Sequence, residues 1–154
     1  MNSYPINKTE ELAAVINACD VCYVSMVDEE QKPYVLPFNF GYDGNYLYLH
    51  SGSEGKKMDI LAHNNNVCIV FSTNHELYHQ NEKVACSWGM KYKSVMLYGQ
   101  NEFIDDLHQK ADILNIIMKK YSGKDDFCYS DPSLKNVTIF KINISSITGK
   151  QRGH

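Results

Sequence analysis

The stretch Tyr46-Leu47-Tyr48-Leu49-His50-Ser51-Gly52-Ser53-Glu54-Gly55-Lys56-Lys57 concentrates more chemistry than any other part of the chain. Its β-prone half delivers an imidazole and a hydroxyl to a Gly/Ser-rich turn, and a helix then opens on two lysines. Basic residues at a helix N-terminus oppose the macrodipole by about 0.3–1 kcal/mol each. A sequence shaped for stability alone places acid there. An anion resting on the free first-turn N–H groups reverses the balance, because lysine and backbone then act on it together. Spacing alone leaves two readings open, an anion site or a pair of solvated lysines. A Walker loop is excluded, since the Gly-x-x-x-x-Gly-Lys-Ser/Thr spacing is missing.

A second unusual stretch is Tyr34-Val35-Leu36-Pro37-Phe38-Asn39-Phe40-Gly41-Tyr42. Pro37 has no N–H and cannot sit in a fully paired central strand, so pairing must loosen there and free neighbouring backbone groups. Phe38 and Phe40 share one face, with Asn39 opposite between them. A planar heterocycle suits such a surface, with apolar walls for its ring and backbone groups for its polar edge; an edge strand with a bulge explains the same pattern. Further along, Trp88-Gly89-Met90-Lys91-Tyr92-Lys93-Ser94 brings aromatic and basic side chains together.

A metal site is the competing reading of other residues. Cys19 and Cys22 have ligand spacing, and His75 and His79 stand four residues apart, so Cys₂His₂ zinc is the sharp reading. Against it, Cys19 falls at a helix end and Cys22 inside a strand, where odd spacing sends side chains to opposite faces. The histidines lie in a polar stretch with no helical apolar face. No metal is expected. The histidine region reads instead as an exposed loop at a substrate mouth or a haem contact, and Cys22 and Cys68 as core thiols.

Positioning these groups is the work of an ordinary globular chain. Its 154 residues, 44% hydrophobic and 21% charged, suffice for one domain with one core, residues 1–154. The net charge of −3 gives no basis for nucleic-acid binding. No apolar run approaches the roughly 20 residues that span a bilayer, and Met1-Asn2-Ser3-Tyr4-Pro5 lacks the features of a signal peptide. The expectation is a cytoplasmic chain with no membrane partner, whose five cysteines are free thiols.

Asn7 and Glu10 form an N-cap and N3 pair for a helix running to about Cys19. Residues 21–27 read as a strand, residues 28–32 as a turn, and residues 34–42 as one strand begun by Pro33. Asp43-Gly44-Asn45 predicts a hairpin to a strand over residues 46–51. A short helix over Lys56–His63, a strand over residues 67–73 and a longer strand over residues 94–104, bulged near Gly99, come next. Asp105 and Asp106 open a helix ending at a Gly123 C-cap, and residues 137–144 make the last strand. Tight hairpins argue for an antiparallel sheet, and so many strands in so short a chain favour a closed barrel over an open sheet.

Taken in order, Cys19-Asp20-Val21-Cys22-Tyr23-Val24, Pro33-Tyr34-Val35-Leu36-Pro37-Phe38-Asn39-Phe40, Leu49-His50-Ser51, Gly55-Lys56-Lys57, Trp88-Gly89-Met90-Lys91-Tyr92-Lys93-Ser94-Val95 and Asn115-Ile116-Ile117-Met118-Lys119-Lys120-Tyr121 resemble a known family. The chain is similar to the pyridoxamine 5′-phosphate oxidase-like flavin-binding split barrels, in the nitroimidazole-resistance branch. The likeness runs from about Cys19 to Lys150. It implies a mainly β fold, a six-stranded antiparallel split barrel of Greek-key type with flanking helices, that forms a homodimer with FMN bound between subunits. FAD is the alternative flavin. By the same resemblance, Pro37, Phe38, Asn39 and Phe40 line the isoalloxazine ring, and His50, Ser51, Lys56 and Lys57 surround the ribityl phosphate and nearby ring edge. Trp88, Lys91, Lys93 and Ser94 approach from a subunit wall; relatives often carry arginine at the place of Lys93, and lysine keeps the charge without the bidentate fork. The implied reaction is reduction of a small nitroaromatic or similar electron-poor compound, nitro to amine. His50 is the candidate proton donor, its type having an ordinary pKa of about 6.5; a structural hydrogen bond is its other role. A flavin- or haem-binding protein without turnover is the alternative class, and a pyridoxamine-type oxidase ranks last.

Overall fold

Pro33 and Pro37 both fall in one short strand, and neither can donate an N–H to a further neighbour, so that strand ends a ladder. The computed structural model, which describes residues 2–153, bears this out. Met1 and His154 lie outside the described residues. In chain order the elements are β1 (Ser3–Ile6), α1 (Thr9–Asn17), β2 (Cys22–Val27), β3 (Pro33–Phe38), β4 (Phe40–Tyr42), β5 (Tyr46–Gly52), α2 (Lys56–His63), β6 (Asn66–His79), a 3₁₀ turn (Ala85–Ser87), β7 (Trp88–Ile104), α3 (Leu107–Ser122), α4 (Asp131–Asn136) and β8 (Val137–Arg152).

The strands form an antiparallel sheet in the order β3-β2-β6-β7-β8-β5-β4, with β1 added beside β8. Two expectations need correction. The described residues form eight strands rather than six, and the sheet is not closed, because no ladder joins β3 to β4. Yet β3 and β4 are neighbours in sequence, separated only by Asn39. The chain thus passes from one end of the ladder to the other through a single residue, which makes the architecture a split barrel.

Alternation in the strands sends one set of side chains into this barrel. Val24, Phe40, Leu47, Leu49, Ile69, Phe71, Leu97, Phe140 and Ile142 form its interior, closed at one side by Leu12, Val15 and Ile16 of α1. A second cluster lies outside the sheet, where Ile113 and Ile117 of α3 cover Tyr48, Ile104 and Ile139. Gly41 lets α3 approach β4: a Cβ there would stand 3.0 Å from Ile116 Cγ2.

Several local expectations hold. Asp106 caps α3 by accepting from the Gln109 N–H at 2.8 Å, and Gly123 ends it in the left-handed region at φ 76°. The bulge falls between Tyr98 and Gly99. The Asn7 cap does not form: α1 starts at Thr9 after Lys8, with no side-chain cap. Among the described residues, no helix is long and apolar enough to cross a membrane.

Candidate functional site

Period two in β5 places Leu47 and Leu49 in the barrel and turns Tyr46, Tyr48 and His50 toward the opposite face. His50 pairs across the ladder with the fully buried Ile139 of β8. Its Nδ1 is shut away from solvent with no hydrogen-bond partner. Burial pulls the imidazole pKa below its ordinary value, so the ring is neutral at pH 7. An unpaired buried nitrogen of this kind costs about 1–3 kcal/mol, which marks the position as one that an external partner would relieve.

Ser51 faces the other way and donates to the Gly52 carbonyl at 2.7 Å. The chain then turns through Gly55, at φ 116°, and α2 begins with no side-chain cap. Lys57 Nζ lies 3.0 Å from the Glu54 carbonyl. Lys56 Nζ stands 3.3 Å from Asp28 Oδ2 and 5.3 Å from the Tyr34 ring centre. The Asp28 carboxyl is held below its usual pKa, first by the Lys32 N–H and then by Lys56. The helix start therefore has two cations and no side-chain cap, with the Met58 N–H already donating to the Gly55 carbonyl at 2.9 Å, and one of those cations has an acidic neighbour.

The break between β3 and β4 is built differently from the expectation. Phe38 and Phe40 are buried, edge-on to Phe140 at 6.0 Å and Phe71 at 5.1 Å. Their rings belong to the core and offer no open wall. The Phe40 N–H, which strand loosening was expected to leave free, donates to the Tyr121 hydroxyl at 3.0 Å. That hydroxyl donates to the Asp20 carbonyl at 2.8 Å. Lys120 Nζ reaches the Asn17 carbonyl at 2.9 Å and lies 4.6 Å from the Phe40 ring centre. Asn39 and Pro37 remain exposed.

The third stretch lies in a hairpin arm formed by the ends of β6 and β7. Trp88 stacks on His79 with ring centres 4.3 Å apart and donates from its indole N–H to the Glu82 carbonyl at 3.0 Å. Lys91 pairs with Glu76 at 2.8 Å. Lys93 and Ser94 alternate in direction: Lys93 joins Glu11 and Val15 around a small cavity under α1, while Ser94 sits opposite Ser72 and Lys150. Among the described residues, no hydrogen bond or ion pair links this stretch to the one containing His50 and Lys56. Within one chain the two stretches are therefore not joined.

Between them runs an uncovered sheet face. Tyr23 stands beside Val70 and Pro37, and Val70 beside Met96; Val35 pairs with Ser25, and Cys68 with Tyr98. Tyr23, Val35, Met96 and Tyr98 are all exposed. As for metals, Cys19 is buried and donates to the Val15 carbonyl, His75 Nε2 is 2.7 Å from Ser72 Oγ, and no cluster of three or more potential ligands occurs among the described residues.

Sequence reading missed Tyr121 and Lys120 as closers of the split. Their signal is faint, a tyrosine and a lysine in the last turn of a helix whose pattern is dominated by its apolar positions.

Comparison with known proteins follows the same lines. A family model described as pyridoxamine 5′-phosphate oxidase matches residues 8–151. A protein from Bacteroides thetaiotaomicron, described as a candidate 5-nitroimidazole antibiotic resistance protein, is 43% identical, with a TM-score of 0.87 over 97% of this chain and 87% of that one. The flavocytochrome Anf3 from Azotobacter vinelandii (22% identity, TM-score 0.82, 97% of this chain and 70% of that one) shares the fold. So does an FAD and haem binding protein from Mycobacterium smegmatis (15% identity, TM-score 0.85, 97% and 74%). No curated protein matches the sequence.

Proposed function

This chain belongs to the pyridoxamine 5′-phosphate oxidase family, and from that premise we propose that it is a flavin-dependent reductase of small nitroaromatic compounds of the 5-nitroimidazole type, working as a homodimer in the cytoplasm. The observation that carries the reading is the 43% identity, across 97% of the chain, to a protein described as a candidate 5-nitroimidazole resistance protein.

Features of the site fit a flavin. The orphaned Nδ1 of His50 has no partner among the described residues, and the start of α2 offers N–H groups without a side-chain cap beside two lysines. FMN is the preferred form, with FAD as the alternative. When bound, the flavin supplies the electrons that reduce the nitro group. Lys57 and the first amides of α2 hold the phosphate, Lys56 divides its charge between that phosphate and Asp28, and Ser51 adds a hydroxyl. Pro37 and Asn39 present backbone to the ring edge, with Phe38 and Phe40 stiffening the strand from inside. The imidazole of His50, neutral at pH 7, would relay protons toward the site, taking one up on its free nitrogen as it releases one from the other.

The second half-site comes from the other subunit. The apolar sheet face around Tyr23, Val35, Met96 and Tyr98 is the proposed contact between copies, which brings Trp88, Lys91 and Ser94 against the first half-site. Lys93, turned toward α1, contributes only long-range charge.

The test is a visible spectrum of the purified protein. Bands near those of free flavin, or their appearance on adding FMN, support the proposal. A colourless protein that takes up no flavin removes it, and a Soret band reassigns the site to haem.

A further inference from the structure

Arg152 is the only arginine of the chain. It ends β8, paired with Tyr92 on one side and Ser3 on the other. Its Nε is buried and has no hydrogen-bond partner, and it joins no ion pair among the described residues. A guanidinium is a cation that presents its N–H donors in a planar fork and accepts no hydrogen bond.

The side chain borders a cavity of about 120 Å³ at the root of the hairpin arm, walled by Tyr78, Gln80, Ser87, Trp88 and Gly89. Among the described residues, no carboxylate lines it. Two of the walls are fixed by their own bonds: the Trp88 indole is tied to the Glu82 carbonyl and stacked on His79, and Ser87 Oγ is engaged with Asn81 and Val84. Among the described residues, the Tyr78 hydroxyl and the Gln80 amide have no hydrogen-bond partner. Gly89 lies at the floor, with Arg152 Nη2 3.9 Å from where a Cβ would stand.

A fixed cavity with a permanent cation, two further donors and no acid is complementary to one oxyanion head. We propose that this cavity is an anion-binding subsite in which Arg152 holds the phosphate or carboxylate of a small molecule whose remainder lies outside. Arginine suits either group through its planar pair of N–H donors. The site does not rest on the flavin reading: it shares Trp88 with the wall proposed there, but its anion-holding residue, Arg152, has no part in the phosphate position at α2.

Trp88 lines the cavity and is the single tryptophan, so its fluorescence reports occupancy directly. The as-purified protein is titrated with sodium phosphate and, separately, sodium benzoate, with sodium chloride holding ionic strength constant. A saturable change with either anion is expected; phosphate alone, or benzoate alone, identifies which head the cavity takes. Arg152→Met should weaken that response by about tenfold or more, and Arg152→Lys, which keeps charge but not the fork, by less. If Arg152→Met does not fold, Arg152→Lys decides by weaker saturation than the original protein. No saturable response with either anion, or an unchanged response in the variants, overturns the proposal. FMN titrated in parallel keeps the two readings apart: an anion response without flavin uptake removes the function proposed above and leaves this site standing.

Discussion

The hydroxyl of Tyr121 stands 3.0 Å from the backbone nitrogen of Phe40 and joins parts of the chain 81 residues apart. It does so at the point where the sheet's two ends meet without pairing, and its own proton goes to Asp20 on the β2 side. One phenol therefore does locally what a ladder would do in a closed barrel. Tyr121→Phe leaves the Phe40 N–H without its acceptor and should lower stability by about 1–2 kcal/mol. Urea unfolding checks this; a midpoint unchanged from the original protein would mean that the split does not depend on the tether.

Gly99 sits at the bulge of β7, where a Cβ would lie 2.5 Å from the Asn143 carbonyl oxygen and 2.8 Å from Ile142 Cγ2. Backbone cannot retreat as a flexible side chain can. Gly99→Ala should cost about 1–3 kcal/mol through overpacking, whereas Gly52→Ala, with nothing within 4 Å of its Cβ, should cost far less. Thermal unfolding of the two variants side by side separates them.

The His50 ring is buried and its pKa lies below the ordinary value. A depressed folded pKa means that its contribution to stability is present above about pH 6.5 and is lost as pH falls through the lowered folded value. His50→Gln removes that dependence. Denaturation curves across pH 5 to 8, plotted as original minus variant, should therefore decline toward acid; a flat difference would mean that the ring titrates as it does in water. His50→Ala should abolish turnover and spare flavin binding, and loss of both together would give the residue a structural role.

How far these features could be read in advance differed by element. The helix over Lys56–His63, the Asp106 and Gly123 caps and the bulge near Gly99 follow from local chemistry, and local chemistry is what a sequence displays. Residues 34–42 read as one strand because Pro37, the visible breaker, is not where the chain breaks; the break comes at Asn39, and the Tyr121 hydroxyl that takes up the Phe40 N–H there lies far away in sequence. β1 and α4 were missed: β1 is four residues long and exists by pairing with the end of β8, while α4 spans six residues. In the site, the clustering of Lys56 and Lys57 was legible, but the Asp28 carboxylate beside Lys56 was not, since a turn brings it there. The inward turn of Lys93 was equally hidden, because a side chain's face depends on strand register.

Asp28 and a cofactor phosphate would compete for Lys56. Asp28→Asn removes the competitor and should tighten FMN while leaving riboflavin, which has no phosphate, unaffected. Lys57→Ala should weaken FMN by several-fold, again without touching riboflavin, as expected for loss of one exposed charge-assisted contact. Fluorescence titration of both flavins reads the two effects, and equal shifts for FMN and riboflavin would remove the phosphate from the start of α2.

Anaerobic incubation of the FMN-loaded protein with an excess of a chemical reductant and a 5-nitroimidazole, with products identified by mass spectrometry, tests the central claim most directly. The account predicts catalytic conversion of the nitro compound to its amine, beyond the rate given by free FMN with the same reductant and lost in His50→Ala. Flavin that is reduced and reoxidised with no amine formed above the free-FMN control would contradict it.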